Sequence, residues 1–217
     1  MPRIIEASEA AKIVKENDRL MCGGFLACGA AEGLIDELVE LNTRNLHLCV
    51  ICTDFPDKGV GKLIVNKQIK SIQTSHIGTN KATQEQYNGG TLKIEFNPQG
   101  TFVERIRAAG AGLGGFLTPS GVGTMLDNEK ETIEVDGKKF FLEKPMHGDV
   151  AFLKAKKADK LGNLVYSKSA QNSNPLMAMA CKTVIVEVDE IVEAGELDPE
   201  VIVTPGIFVD FLVKSKG

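Results

Sequence analysis

Apolar positions in the first half of the chain alternate between helical and extended spacing. Leu34, Ile35 and Leu38 recur three and four apart within 32–41, which predicts an amphipathic helix. The continuous apolar run at 46–52 predicts a buried strand directly after it. The other elements predicted here are a helix capped by Ser8 that carries Ala11, Ile13 and Val14, strands at 19–25, 69–75 and 92–96, and helices at 81–88 and 101–109. Strands alternating with helices predict a parallel sheet covered by helices.

The second half of the chain changes pattern and favours antiparallel pairing. Asp136-Gly137 lies between the runs 132–135 and 138–143, and Asp-Gly supplies the positive φ angles of a two-residue hairpin turn. Further predicted elements are a strand-turn-strand unit over 150–155 and 164–167, a short helix from Pro175, a strand at 183–188 and extended segments at 201–203 and 207–213. The predicted fold class is α/β, an open and mainly parallel sheet flanked by helices with an antiparallel hairpin insertion. We expect one domain over 1–217.

Composition narrows the possible partners. The 217 residues carry a net charge of −4, with two Tyr and no Trp, so the chain lacks a basic surface and stacking platforms for nucleic acid. No window approaches the roughly 20 apolar residues of a membrane span, and the first residues form no apolar signal-peptide core. We therefore expect a cytoplasmic protein that binds neither nucleic acid nor membrane.

The five cysteines are an odd number, which fits a reducing compartment. Cys49 and Cys52 form a C-x-x-C pattern, but they lie in a predicted strand, where residues three apart point to opposite faces. That geometry suits neither a disulfide nor a chelate, and the sequence has no second C-x-x-C. We predict buried thiols and no metal site.

Glycine is concentrated at three places: 23–24, 97–100 and 110–123. In open α/β sheets ligands bind beyond the carboxyl ends of strands, where bare backbone can come close to them. These three turns are therefore candidate site loops. Gly110, Gly112 and Gly115 have G-x-G-x-x-G spacing, but a predicted helix precedes them instead of a strand, so a dinucleotide fingerprint is not expected. Glycines that merely permit tight turns remain the alternative to a backbone-lined site.

Several short blocks occur in an order that resembles a known family. The blocks are Asn17 with 20–25 and Gly29, 75–80, 98–101 with 104–107, 110–118, Asp159 with 162–163, Asn172 with 174–175, and 204–206. Together they resemble the alpha subunits of family I coenzyme A transferases, a group with a CoA-transferase/NagB-like fold. Each block is weak alone, but the ordered set is specific and covers nearly the whole chain.

The resemblance implies a ping-pong transfer of coenzyme A. In that family a glutamate carboxylate attacks an acyl-CoA, an enzyme-CoA thioester forms through an anhydride, and an incoming acid accepts the CoA. Such chemistry needs an activated carboxylate and donors aimed at the developing oxyanion. The implied substrates are a short-chain acyl-CoA and a short-chain acid of the acetate, butyrate or acetoacetate class. Coenzyme A is a substrate, and the resemblance implies no metal or organic cofactor.

The family's nucleophilic Glu lies in a Ser-Glu-Asn-Gly-like motif on the beta subunit. This chain has no Glu-Asn-Gly, since Glu16-Asn17 runs into Asp18. The resemblance therefore implies that no catalytic residue lies in this chain and that a CoA-transferase beta subunit supplies the nucleophile. An α2β2 assembly is also implied.

The resemblance also suggests which residues contact substrate. For the oxyanion and the substrate these are Gln99, Gly112, Gly114, Gly115, Phe116, Gly23, Gly24 and Phe25, and possible site-lining residues are His76, Asn80, Ile51 and Cys52. Structural alternatives stay open at several positions. The Gln99 amide can instead hydrogen-bond to the backbone of a turn, and His76 can be a hydrogen-bonded structural residue. Asn172 and Asn174 can form the turn before Pro175. Glu104 and Arg107, three apart on a predicted helix, are more simply explained as an ion pair than as catalytic groups.

Departures from the family pattern affect the expected substrate. Relatives carry Asn-Asp where this chain has Ile51-Cys52, and Arg where it has Gln171. A more apolar pocket could suit a plain acid such as butyrate. Two other functions stay open: a sugar-phosphate isomerase or lyase with Glu104 or His76 as base, and a non-catalytic module that binds CoA or acyl groups.

Overall fold

Twelve strands and six α-helices make up the part of the chain that the computed structural model describes, residues 1–216. The strands are β1 Arg3–Ile4, β2 Arg19–Cys22, β3 Leu46–Cys49, β4 Ile69–Thr74, β5 Lys93–Phe96, β6 Phe116–Thr118, β7 Thr132–Val135, β8 Lys138–Glu143, β9 Gly148–Asp159, β10 Leu164–Val165, β11 Cys181–Val192 and β12 Phe211–Lys214. The helices are α1 Ala7–Ala11, α2 Glu32–Leu41, α3 Gly61–Val65, α4 Lys81–Asn88, α5 Gln99–Gly110 and α6 Asn174–Ala180. No helix in this range is long and apolar enough to cross a membrane.

The main sheet runs in the order β1-β12-β11-β9-β2-β3-β4-β5, and all of these strands are parallel to their neighbours. β10 pairs antiparallel with β9 at one end. The β6-β8-β7 unit forms a second, antiparallel sheet. The predicted fold class, including the antiparallel insertion, is confirmed.

Side chains on successive strand residues point to opposite faces of the sheet. The protein therefore has two apolar cores, one on each face. α2 and α3 cover one face, where Leu20 and Leu48 lie in the core. α5 and α6 cover the other face, where Met21 lies. Each fully buried aliphatic side chain of this kind contributes roughly 1.5–3 kcal/mol relative to exposure.

Local signals predicted several elements at their observed bounds. α2 and α4 begin and end at their predicted residues, and the C-cap of α2 is Asn42, whose φ of 57° is left-handed. The hairpin turn is formed by Asp136 and Gly137, with φ values of 51° and 74°. These positive angles are those that a two-residue turn of the predicted type requires.

Other predicted bounds were wrong. Ser8 does not cap α1, which begins after Glu6 without a side-chain cap and ends at Ala11, before Ile13 and Val14. β2 and β3 stop at Cys22 and Cys49, three residues short of their predicted ends. The segment 201–203 is not a strand, because a 3-10 turn at Pro199–Val201 leads instead to a bridge between Thr204 and Leu164.

Two more differences lie near the predicted site loops and the last strand. Gln99 and Gly100 do not lie in a turn but form the first turn of α5, which begins two residues before the predicted helix. The predicted extended run 207–213 is divided, since 206–208 form a 3-10 turn and β12 begins only at Phe211.

Candidate active site at the carboxyl edge of the sheet

The loops that follow β2, β3 and β4 meet at the carboxyl edge of the main sheet. The N–H of Leu26 donates to Cys52 Sγ at 3.2 Å, which ties the first loop to the second. The N–H of Thr53 donates to the carbonyl of His76 at 3.2 Å, which ties the second to the third. Fold topology thus gathers four of the predicted residues, Phe25, Ile51, Cys52 and His76, onto one edge.

Gly23 is glycine because Asn174 packs against it, and Gly24 is glycine because its φ angle is positive. A Cβ on Gly23 would overlap the Asn174 amide, and Gly24 has a φ of 120°. The N–H of Gly23 donates to the Phe152 carbonyl at 3.0 Å, and the N–H of Gly24 donates to Asn172 Oδ1 at 3.1 Å. Both N–H groups already donate a hydrogen bond within the chain. The sequence suggested that they bind a substrate oxyanion, but neither is a free donor.

The Asn174 side chain is fully buried and forms hydrogen bonds with three backbone groups. Its Oδ1 accepts from the N–H of Lys154 at 3.2 Å. Its Nδ2 donates to the carbonyls of Gly29 at 3.2 Å and Ala170 at 3.0 Å. Asn174 therefore positions the loop after β2 and is more than a turn residue before Pro175.

Asp54 was missed by the sequence analysis and joins the loops after β2 and β3. Its carboxylate accepts from the N–H of Ala27 at 2.9 Å and from the N–H of Val60 at 3.1 Å. Burial raises the pKa of Asp54, and the hydrogen bonds from Ala27, Cys52 and Val60 partly oppose this rise. The only sequence signal was its place just beyond a buried strand.

Four predicted site-lining residues have different surroundings. Ile51 is buried, and its carbonyl accepts from Ser75 Oγ at 2.8 Å. Asn80 is buried as the N-cap of α4, accepting from the N–H of Thr83, so its side chain is structural. Cys52 is buried under the first loop, whereas His76 is exposed. Of the four, only the His76 side chain is open to a ligand.

Gln99 and the glycine segment 112–115 lie at opposite ends of α5. The helix runs from Gln99 to Gly110, roughly 16 Å at about 1.5 Å per residue. Gly110 packs against Met179, just before β11 begins, so this end of α5 lies near the amino edge of the sheet. One small substrate group therefore cannot contact both features of this chain, although the sequence placed them in one site.

The glycine segment is open to solvent. If a Cβ atom were added to Gly112 or to Gly114, no neighbouring atom would lie within 4 Å of it. The φ angle of Gly112 is 69°. The N–H of Gly112 donates to the Ala109 carbonyl at 3.1 Å. Gly115 differs, since an added Cβ would meet the Glu143 carbonyl of β8 at 2.7 Å. Phe116 then starts β6.

A groove of about 400 Å³ lies beside Gln99, which is exposed in the first turn of α5. Its lining residues are Ser75, Phe96, Asn97, Pro98, Thr124, Met125 and Leu126. Phe96 is restrained by an edge-to-face contact with Tyr87 at 5.7 Å between ring centroids. The volume lies within the range of small-molecule sites, and most of the lining is apolar. A larger cavity of about 680 Å³ lies at the opposite edge of the sheet, around Lys67 and Ile69, and no predicted site residue lines it.

The thiols of this region are unsuited to nucleophilic attack. Burial raises the pKa of Cys52 to about 11 and that of Cys49 to about 12. The thiolate is the reactive species, so both remain protonated at neutral pH. All five cysteines are free, and no group of three potential metal ligands occurs among residues 1–216.

We expect thiol labelling to distinguish Cys28 from the buried cysteines. Cys28 is exposed, whereas Cys22, Cys49 and Cys52 are buried. The raised pKa of Cys52 alone lowers its thiolate fraction about 100-fold relative to a thiol at 9.0. Mass spectrometry after brief iodoacetamide treatment should find Cys28 modified first, and all five sites modified in denaturant. Equal native rates at Cys28 and Cys52 would contradict this placement.

The Glu104–Arg107 ion pair is present at 2.6 Å on the exposed face of α5. This contact gives both residues a structural partner, as the i,i+3 spacing indicated.

Fold and site together define an open α/β protein whose carboxyl-edge loops offer an exposed amide, an imidazole and an apolar groove. A family model described as Coenzyme A transferase matches residues 4–215. The chain belongs to the coenzyme A transferase family.

Two relatives are similar along the whole chain. The acetate CoA-transferase subunit alpha of Escherichia coli K12 is 43% identical over 214 residues, which cover 99% of this chain and 97% of that protein. The acetoacetyl-CoA:acetate/butyrate CoA transferase alpha subunit of Clostridium acetobutylicum is 43% identical over 213 residues, covering 98% of each. This similarity places the chain with the alpha subunits of the family.

A solved acyl-CoA transferase from Escherichia coli O157:H7 has the same fold. It superimposes with a TM-score of 0.90 at 21% identity, covering 99% of this chain. This chain spans 47% of that chain, about half its length.

Proposed function

We propose that this chain is the alpha half of an enzyme that moves coenzyme A between a short-chain acyl-CoA and a short-chain acid, with a nucleophilic glutamate on a beta subunit. The observation that carries the proposal is the state of two carboxylates at the carboxyl edge, the buried Asp54 and the half-buried Glu32. Asp54 is held by two N–H groups, and Glu32 accepts from the N–H of Gly59 at 2.8 Å and pairs with Lys62 at 2.5 Å. These carboxylates are engaged within the chain, whereas the chemistry needs a free one.

In the proposed reaction a glutamate oxygen of the beta subunit attacks the thioester carbonyl carbon of the acyl-CoA. The C–S bond breaks, CoA leaves as a thiolate, and an acyl-glutamyl anhydride remains. The thiolate then attacks the glutamyl carbonyl carbon, which releases the first acid as a carboxylate and leaves a glutamyl-CoA thioester. The second acid repeats these steps in reverse and leaves as its own CoA ester. Each step exchanges one acyl bond for another, so neither an oxidant nor a resident cofactor is required.

Gln99 is the side chain of this alpha subunit best placed to assist. It is exposed in the first turn of α5, where Pro98 provides no side-chain cap, and Gly100 beside it has nothing within 4 Å of an added Cβ. The amide can donate to a carbonyl oxygen, and the positive end of the helix dipole favours the charge that develops there. Gln99 would thus stabilise charge without reacting covalently.

The substrate class follows from the groove next to Gln99. Phe96, Pro98 and Met125 give it apolar walls that suit a short unbranched acyl chain. Two similar proteins are named for acetate, acetoacetate and butyrate. An acid of the butyrate class fits the apolar lining better than a dicarboxylic acid, because the lining residues include no cationic side chain.

The assembly and compartment are part of the same proposal. An α2β2 complex would bring two beta-subunit nucleophiles to two alpha-subunit edges. Coenzyme A enters as a substrate. The five free thiols suit the reducing cytoplasm, where disulfides are rare.

The isomerase and binding-module alternatives gain no support from the site. An isomerase needs a base in the pocket. Glu104 pairs with Arg107 on the exposed face of α5, and His76, although exposed, does not line the groove. A binding module would act alone, whereas the relatives are named as subunits.

The test is CoA transfer from butyryl-CoA or acetyl-CoA to acetate and acetoacetate. The chain is assayed alone and after co-expression with a coenzyme A transferase beta subunit. We expect transfer only from the co-expressed pair, with a glutamyl-CoA thioester trapped on the beta chain by borohydride. Full activity of the isolated chain would refute a nucleophile supplied in trans.

Changes at Gln99 should separate catalysis from stability. In the co-expressed pair, Gln99→Ala should lower kcat about 100-fold, as expected for the loss of one oxyanion donor. Gln99→Glu should also lose activity, because a carboxylate repels the substrate carboxylate. It should nevertheless leave the melting temperature unchanged or higher, since a negative charge at a helix N-terminus is favourable. Wild-type kinetics in both variants would remove Gln99 from the site.

A further inference from the structure

The outer face of the small sheet is mostly apolar and partly exposed to solvent. Residues directly opposite in an antiparallel pair share a face, and Leu117 pairs with Leu142 while Ile133 pairs with Phe140. Val135 lies on the same face as Ile133, two residues along β7, and its partner Lys138 is the cationic residue of this face at the hairpin end. Leu117 and Val135 are 40% and 41% exposed, and the other three are half-buried. Leu117, Ile133, Val135, Phe140 and Leu142 are named here the outer face.

The inner face of the same sheet is already packed against the body of the protein. Phe141 is fully buried and Glu143 is 4% exposed. The β8 run Phe140-Phe141-Leu142 is therefore apolar on both faces, although this chain covers only one of them. Strands that are apolar on both faces are typical of sheets covered on both sides. An uncovered apolar patch next to a site marks an interaction surface.

The outer face is continuous with the open glycine segment and with the groove. β6, which carries Leu117, directly follows Gly115. The segment between β6 and β7 contributes Met125, which is 79% exposed, to the groove beside Gln99. Bare backbone at Gly112 and Gly114 leaves room for the close approach of another chain. A protein bound on the outer face would therefore lie next to the proposed site.

We propose that the outer face is where the beta subunit docks, and that the glycine segment 112–115 contacts that subunit. This inference rests on the proposed function, because it takes the bound protein to be the chain that carries the glutamate. The solved acyl-CoA transferase supports this occupant, since this chain spans 47% of it and leaves a remainder of similar length in one polypeptide. An apolar patch of the partner, with the glutamate near its edge, would cover the outer face.

The test uses lysine substitutions at the two most exposed positions, Leu117→Lys and Val135→Lys, singly and together. Leu41→Lys is the matched control, because Leu41 is 43% exposed at the end of α2, outside the small sheet. Binding to a tagged beta subunit is measured by biolayer interferometry and by light scattering after gel filtration. Thermal melts of the isolated variants confirm folding.

We expect the double variant to bind the beta subunit about 100-fold more weakly, because two charges would be buried in an apolar interface. Transfer activity should fall in parallel and recover as the beta-subunit concentration is raised. The Leu41→Lys variant should match the wild type in both assays.

Unchanged binding by the double variant would overturn the docking proposal even if the pair transfers CoA. A wild-type pair that forms a complex through this face but transfers no CoA would refute the proposed function and keep the interface. If the isolated chain is a dimer that the double variant makes monomeric, with beta-subunit binding unaffected, the face belongs to a second copy and the proposal is wrong.

Discussion

Replacing Asn174 by alanine should lower the free energy of unfolding by roughly 3 kcal/mol. The Asn174 amide is fully buried, and its removal leaves the N–H of Lys154 and the carbonyl of Gly29 without the partner it supplied. Each buried polar group left unsatisfied costs about 1–3 kcal/mol. Urea unfolding of the isolated chain measures the change. Asn128→Ala is the control, because Asn128 is exposed in a 3-10 turn and should shift stability by less than about 0.5 kcal/mol.

A double-mutant cycle with Gly23 tests the proposed cause. Gly23→Ala places a methyl group where the Asn174 amide lies, so the single change should also be strongly destabilising. In the Asn174→Ala background the overlap disappears, and the second change should cost much less. Contacting residues of this kind typically couple by about 0.5–3 kcal/mol. Additive effects would show that Asn174 does not hold the loop after β2.

Replacing Arg105 by alanine should cost about 2–3 kcal/mol and loosen the small sheet. The Arg105 side chain is 12% exposed, ion-pairs with Glu95, and donates to Asn97 Oδ1 at 2.6 Å and to the Lys144 carbonyl at 2.9 Å. It thereby joins β5 to the end of β8. Hydrogen bonds to charged groups contribute about 1.5–3 kcal/mol. The Glu95 side chain is 50% exposed, so water partly replaces Arg105 as its partner. Arg107→Ala, on the exposed face of the same helix, should change stability little.

The pH dependence of stability provides a second measurement of the same contact. Burial raises the pKa of Glu95, but hydrogen bonds from Arg105 and Gln73 outweigh this and lower it below 4.5. A carboxyl group with a depressed pKa stabilises the fold above its unfolded value and loses that contribution as the pH falls. Wild-type stability should therefore drop below about pH 4.5, and Arg105→Ala should show a shallower drop. If the stability of the wild type and of Arg105→Ala fell identically at low pH, the Arg105–Glu95 contact would not contribute to the stability of the fold.

Much of the fold could be predicted because its signals are local. The spacing of Leu34, Ile35 and Leu38 predicts α2, and Asp136-Gly137 predicts the hairpin, since each depends on residues within a few positions. The partners that satisfy a helix end were not predictable where they come from elsewhere in the chain. The N–H of Leu34 in the first turn of α2 bonds to Glu187 Oε2 at 3.1 Å, across 153 residues of sequence.

The candidate site could be predicted only in outline. Glycine pairs beyond strand ends pointed to the carboxyl edge, where the loops after β2, β3 and β4 do meet. Composition could not reveal that Gly23 and Gly24 already donate within the chain, since their acceptors lie more than 120 residues away. The sequence did predict a helix over 101–109, and the structure shows that this helix, α5, puts Gln99 and Gly112 at its opposite ends.

The sequence by itself determined the fold class, most elements and, through its ordered blocks, membership of the coenzyme A transferase family. These features depend on local periodicity, turn chemistry and the order of short motifs. Only the tertiary structure decided which backbone donors remain free and which face of β8 stays uncovered. These depend on contacts between segments far apart in the chain, such as Asn174 on Gly23, and no local pattern specifies them.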